Sequence, residues 1–283
     1  MKNIFKLLIL IAIIPISGCM KNDTMEDITI YTTTYPIEYI VTRLYKDHGE
    51  IKSIYPNGVD IKEYEITNIL LDEYSHTDMF IFNGLSNEKK YVKSMLKKNS
   101  DLKIIDATDG LNYNYYTEEF WLDPNNVLAI ANNIKKGFTE YIKNSYLKKE
   151  IEDNYQQLKQ DLTSVDAKYR SAASKSNSTI VVSNNMFLFL KKYGMNVISL
   201  EEKNDSFQKD LTTVKSLINN GEIKYIYIVK GEDNPSIKEL IDGTDIELIE
   251  LHTLSNLDDD EKEKYDYLSI VNQNLESLKL ELY

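Results

Sequence analysis

The sequence predicts an α/β fold of two lobes, each a mostly parallel sheet with flanking helices, joined by one long rigid backbone helix. Three observations lead there. Short strand-like runs alternate with amphipathic stretches over residues 28–106. From Pro124 to about Ser174 the spacing is helical throughout, with no further proline and one glycine, Gly137. After Ser178 the alternation of strand and helix resumes. Strand followed by helix, repeated, is what a parallel sheet with both faces covered requires.

The elements follow in order. Strands are expected at Ile28 to Thr32, Glu50 to Tyr55, Met79 to Asn83 and Lys103 to Asp106, with helical stretches such as Pro36 to Tyr45 and Lys62 to Tyr74 between them. Asp123-Pro124 starts a helix, because the Asp side chain caps free N–H groups and proline suits the first turn. From Lys148 to Ala173 the apolar positions Ile151, Tyr155, Leu158, Leu162, Val165 and Tyr169 recur at spacings of four and three, one stripe on one helix. A helix of ~25 residues spans roughly 38 Å, the height of a two-lobed molecule. Strands then return at Thr179 to Ser183, Asn196 to Leu200, Lys224 to Val229 and Glu247 to Leu251, and a helix from Tyr265 to Leu280 closes the chain. The domains are therefore residues 28–145, a linking helix over 146–176, and residues 177–283.

The amino terminus has a different character. Lys2 and Lys6 precede an apolar run from Leu7 to Ile16 that is too short to span a bilayer, and Ser17-Gly18-Cys19 follows. This is a secretory signal over residues 1–18 ending in a lipobox. Cys19, the single cysteine, is the expected lipidation site and new N-terminus, since no second cysteine offers a disulfide. Residues 19–27 form a short polar tether. The chain is expected on the outer face of the cell membrane, held there by lipid.

Charge narrows the function. The formal net charge is −12, and removing the leader takes away two lysines and no acid. That balance excludes nucleic acid and a basic membrane-binding surface. No Gly-x-Ser-x-Gly, P-loop, His-Glu-x-x-His or Cys-x-x-Cys occurs, so no enzyme class is indicated. His48 and His76 fall at helix ends or turns, where solvated or capping roles are expected. The acidic run Asp258 to Glu263 suits a helix N-terminus and is expected to stay solvated.

A set of short motifs adds a family. These are Tyr35-Pro36, Pro56-Asn57-Gly58-Val59 with Tyr64-Glu65, Phe82-Asn83-Gly84-Leu85, Asp106-Ala107, Trp121-Leu122-Asp123-Pro124 and Asp266-Tyr267-Leu268-Ser269. In this order they resemble the solute-binding lipoproteins of bacterial ABC importers for zinc and manganese, some of which are also described as surface adhesins. The resemblance implies a monomer that binds Zn²⁺ or Mn²⁺ as cargo between its lobes and delivers it to an ABC permease. A rigid helix between the lobes implies small, local motion on loading.

The family's imidazole and carboxylate ligand positions are largely substituted here. In the Gly-Val-x-Pro-His-x-Tyr-Glu pattern the His position is Lys62; before Trp-Leu-Asp-Pro the His position is Glu119; in Ser-His-x-x-Phe it is Asn184; and the late acid aligns with His252 or Thr253. A protonated lysine has no lone pair to give a metal. Beside Glu119 its ammonium is expected to stand in the ion's place, as a salt bridge across the cleft. The other possibility is a rearranged metal site of Glu119 and His252 with Glu63, Asp123 or Glu232. The stretch Leu111 to Glu118, where zinc-scavenging members are His-rich, has tyrosine and asparagine instead, suited to stacking on an organic ligand. The functional alternatives are a metal-free surface adhesin with a host or surface partner, and an importer subunit for a non-metal ligand.

Overall fold

The computed structural model describes residues 25–111 and 119–283. Four strands form the first sheet: β1 (Ile28–Thr32), β2 (Gly49–Ser53), β3 (Met79–Phe82) and β4 (Lys103–Asp106). All pair in parallel, in the order β2-β1-β3-β4. The second sheet, of β5 (Thr179–Val182), β6 (Asn196–Ser199), β7 (Tyr225–Val229) and β8 (Glu247–Leu251), repeats that topology as β6-β5-β7-β8. The two-lobed fold expected from the sequence is therefore present.

The first lobe carries α1 (Tyr35–Tyr45), α2 (Asn68–Ser75), α3 (Lys89–Lys98) and α4 (Pro124–Tyr141). The helix expected from Lys62 starts instead at Asn68. The Asp60 carbonyl accepts from the Glu63 and Tyr64 amides, which curls residues 60–64 into a turn. The Thr67 side chain then caps α2 by accepting from the Leu70 amide. Asp123 caps α4 as read, accepting from the Asn125 amide at 2.9 Å.

The linking helix, α5 (Ser145–Ala173), is 29 residues long, about 43 Å at 1.5 Å per residue. Asn144 caps it, accepting from the Tyr146 and Leu147 amides. Its stripe (Leu147, Ile151, Leu158, Leu162, Val165, Tyr169) is buried in one apolar core that runs through both lobes. Each sheet packs a separate cluster on its outer face, around Phe80 and Met95 in one lobe and around Val214 and Ile226 in the other. Arg43 on α1 also pairs with Asp161 on α5 at 2.6 Å. His48, expected as solvated or capping, lies 2.9 Å from Glu150 of α5 and is half-buried. His76 is exposed at the C-terminal end of α2.

The second lobe adds α6 (Phe207–Asn219), α7 (Pro235–Ile241), α8 (Asp259–Lys264) and α9 (Tyr267–Leu282). Between β5 and β6 the connection is a 3-10 helix, Asn185–Tyr193. The lobes meet where this segment faces the start of α4. Lys192 pairs with Asp123 there and lies 3.8 Å from Asp166 of α5. Among the described residues no helix is long and apolar enough to cross a membrane. Cys19 and the leader lie outside the described residues.

Asp166 makes the interlobe junction pH-sensitive. Burial opposes its charge, but hydrogen bonds from Arg170 (2.8 Å) and Tyr193 (2.9 Å), with the nearby Lys192 ammonium, hold its carboxyl below the usual aspartate range. A carboxyl depressed in the folded state binds fewer protons folded than unfolded. Its stabilisation is complete above the unfolded value of about 3.9 and is lost as pH falls through the folded value. The Asp166→Asn variant is therefore expected to lose stability less steeply than the parent below about pH 4. Denaturant melts across that range check it; parallel pH profiles would contradict it.

Candidate functional site

Each of the four candidate positions follows the carboxyl end of a strand. Lys62 lies beyond β2, Glu119 beyond β4, Asn184 beyond β5 and His252 beyond β8. In open parallel sheets that edge is where ligands bind. The two sheets turn these edges toward a shared cleft of about 780 Å³, lined by Lys62, Glu119 and Asn184 together. His252 is not among its lining residues.

Local sequence places each group. Gly58 has φ +76°, a left-handed conformation in which a side chain is strained, and this turns the chain between β2 and the Lys62 loop. Asp60 then accepts from the Lys62 amide at 2.9 Å. Glu119 leads into a 3-10 turn, Phe120–Leu122, whose side chains are all buried. The indole of Trp121 donates to the Thr253 carbonyl at 2.8 Å, and the Tyr267 hydroxyl donates to the Trp121 carbonyl at 2.6 Å. The Trp-Leu-Asp-Pro motif thus anchors Glu119 against the second lobe. Gly84 is required by a close approach: a Cβ there would lie 1.8 Å from the Asp106 carboxylate, which accepts the Gly84 amide.

Lys62 Nζ lies 2.5 Å from Glu119 Oε1, with the Glu119 side chain 5% exposed and that of Lys62 55% exposed. The salt bridge expected across the cleft therefore forms, with one correction: both partners belong to the first lobe, so it joins two loops of one wall. A buried carboxylate requires such a partner, because an isolated charge in this position would be costly.

The other donors are engaged elsewhere. Asn184 caps the 3-10 helix, accepting from the Met186 amide at 3.0 Å. His252 Nδ1 accepts from the Leu254 amide at 2.8 Å, and Nε2 lies 3.3 Å from Glu261. Burial pushes the His252 imidazole down from its ordinary value, with the Glu261 carboxylate working against that shift. Glu261 also pairs with Lys230, so the acidic run is not wholly solvated. Of the acids considered for a rearranged site, Asp123 is taken by Lys192 and the α4 cap. Glu232 accepts from the Val229 amide at 2.9 Å and from Ser183. Glu63 lines the cleft. Among the described residues, no three His, Cys, Asp or Glu side chains are grouped as a metal ion needs. The tyrosine- and asparagine-rich stretch lies, apart from Leu111, outside the described residues.

Sequence reasoning missed the rest of the walls. The first lobe contributes Glu88, which is buried and accepts the Asn83 amide at 2.9 Å, beside Tyr55 and Tyr91. Burial and the Glu88 carboxylate push the Tyr55 hydroxyl well up. The second lobe contributes Asn185 and Asn204, whose amides bond each other reciprocally at 2.7 and 3.0 Å. No short motif marks these residues; only the strand order brings them to the cleft.

Two parallel α/β lobes carried on one helix, with a polar cleft between their carboxyl edges, have the architecture of a solute-binding protein. The chain belongs to the ZnuA family, described as zinc-uptake complex component A, periplasmic, whose family model matches residues 30–280. That is a family of solute-binding proteins and not of enzymes. Among curated relatives, the chain is 23% identical to the high-affinity zinc uptake system protein ZnuA of Bacillus subtilis, over 93% of this chain and 89% of that one. It is 25% identical to a metal ABC transporter substrate-binding lipoprotein of Lactococcus lactis, over 84% and 83%. Among solved structures, the metal-dependent lipoprotein YcdH of Bacillus subtilis superposes with a TM-score of 0.75 at 22% identity, covering 90% of this chain and 99% of that one. The laminin-binding protein of Streptococcus agalactiae does so with a TM-score of 0.75 at 17% identity, covering 90% and 100%.

The Lys62 loop depends on the segment after β8. Asn256 Nδ2 donates to the Pro56 and Val59 carbonyls at 2.8 and 3.0 Å, and the Gly58 amide donates to the Leu257 carbonyl at 2.9 Å. An Asn256→Ala variant is expected to exchange amide hydrogens at residues 57–62 several-fold faster while keeping its fold. Unchanged exchange at those amides would show that the loop holds itself.

Proposed function

We propose that this protein is the extracytoplasmic solute-binding lipoprotein of an ABC importer of the zinc and manganese class, with the family's metal site degenerate. In this reading Cys19 carries the lipid, the chain sits on the outer face of the membrane, and a permease receives the cargo. The protein acts as a monomer.

The importer class rests on the family match, and one observation carries the degenerate site: the Lys62 ammonium lies 2.5 Å from Glu119, at two positions where the resemblance implies metal ligands. It supplies the positive charge that the buried carboxylate needs. A divalent cation arriving at the same carboxylate meets like charge, and repulsion between charges 4 Å apart is about 4 kcal/mol per unit-charge pair at moderate effective dielectric. Asn184 and His252 do not compensate, since their side chains already serve a helix cap and the Glu261 contact. The metal-free adhesin reading draws on the likeness to laminin-binding proteins, which at 17% identity speaks for the fold alone.

Calorimetry of zinc and manganese on the mature, metal-stripped protein, beside Lys62→His, tests this. The parent is expected to bind neither ion tightly, and Lys62→His is expected to gain at least ten-fold in zinc affinity. Tight zinc binding by the parent would overturn the degenerate site.

A further inference from the structure

The next step rests on the reading that Lys62 holds the metal's place. We infer that the cleft takes its cargo as a preformed complex of a divalent metal ion with a small amino-acid-type chelator, whose own atoms supply the donors.

Size is the first argument. A bare zinc ion needs about four donors at roughly 2.0–2.3 Å, a cage far smaller than this cleft. At about 780 Å³ the cleft falls in the range of small organic ligands, about 300–1,000 Å³. Donor supply is the second. No group of three suitable side chains stands together among the described residues, so the described walls alone would leave a bare ion most of its water. A chelate brings its nitrogen and oxygen donors with it and asks the walls only for hydrogen bonds and charge.

Charge is the third. Beyond the Lys62–Glu119 pair, the first wall carries Glu63, Glu65 and Glu88 against Lys90, and the second carries Glu201 against Lys203. Among the described lining residues two negative charges remain in excess, which favours a cationic cargo. One divalent ion with one monoanionic amino acid carries a single positive charge. The neutral groups fit the remainder: the paired amides of Asn185 and Asn204 line the cleft from the second lobe, with amide N–H groups that can donate to carboxylate oxygens. A metal-free organic cation would match the charge, but the chain's family handles metal.

The test is calorimetry on the mature protein with zinc chloride alone, L-histidine alone, and the two premixed at equal concentration. The expected result is saturable one-to-one binding of the mixture, at least ten-fold tighter than either component. Equally tight binding of histidine alone would overturn this inference and leave the degenerate site standing. Tight binding of zinc alone would overturn both. Heat from none of the three would overturn the inference alone. A Glu65→Gln, Glu201→Gln double variant is expected to bind the mixture several-fold more weakly; unchanged affinity would put the complex outside the cleft and overturn the assignment.

Discussion

The structure depends on one apolar stripe. Leu147 to Tyr169 on α5 lies in a core shared by both lobes, and the helices that cover the inner faces of the sheets, α1 and α4 in one lobe and α9 in the other, pack against it. Each fully buried aliphatic side chain in such a stripe is worth about 1.5–3 kcal/mol of transfer from water. The pair of Lys192 with Asp123 adds a polar tie between the lobes. The segment after β8 closes the arrangement by returning to the first lobe, where Tyr35 donates its amide to Ser255 and Lys262 reaches Glu38 at 2.9 Å. These ties cross the junction between the lobes at several heights.

Within the cleft the chemistry turns on the pair of residues at positions 62 and 119. Two neutral imidazoles, as the resemblance implies at these positions, offer two lone-pair donors to a metal; an ammonium beside a carboxylate offers a finished salt bridge. Glu119 is almost fully buried and its loop is anchored by Trp121, so the carboxylate cannot swing out to water when its partner changes. The burial that would strengthen a metal site therefore strengthens the internal pair instead. The walls around it are polar and of both signs.

Much of this was legible in the sequence. The periodicity gave all eight strands to within a residue or two and the stripe of α5, because alternating and 3.6-residue patterns are direct consequences of burial on one face. The Lys62 helix was misread because residues 60–64 carry apolar spacing while the Asp60 carbonyl and the Thr67 cap set a different start. Motif order led to the family, and to Lys62, Glu119 and Asn184 in one cleft. His252 was not legible: its position in the chain says nothing of Glu261, which lies nine residues on and turns the ring into the second lobe's own network. The Asn185–Asn204 pair was equally hidden, since its partners meet only when β5 and β6 lie side by side.

The central claim is that Lys62 and Glu119 function as a coupled internal pair, and a double-mutant cycle tests it most directly. Unfolding free energies of the parent, Lys62→Met, Glu119→Gln and the double variant give the coupling without any ligand present. The account predicts that the double variant recovers part of the single losses, a coupling on the order of 1 kcal/mol or more. Single effects that add within about 0.3 kcal/mol would mean that the two charges do not depend on each other, and the ammonium would then not be the ion's replacement.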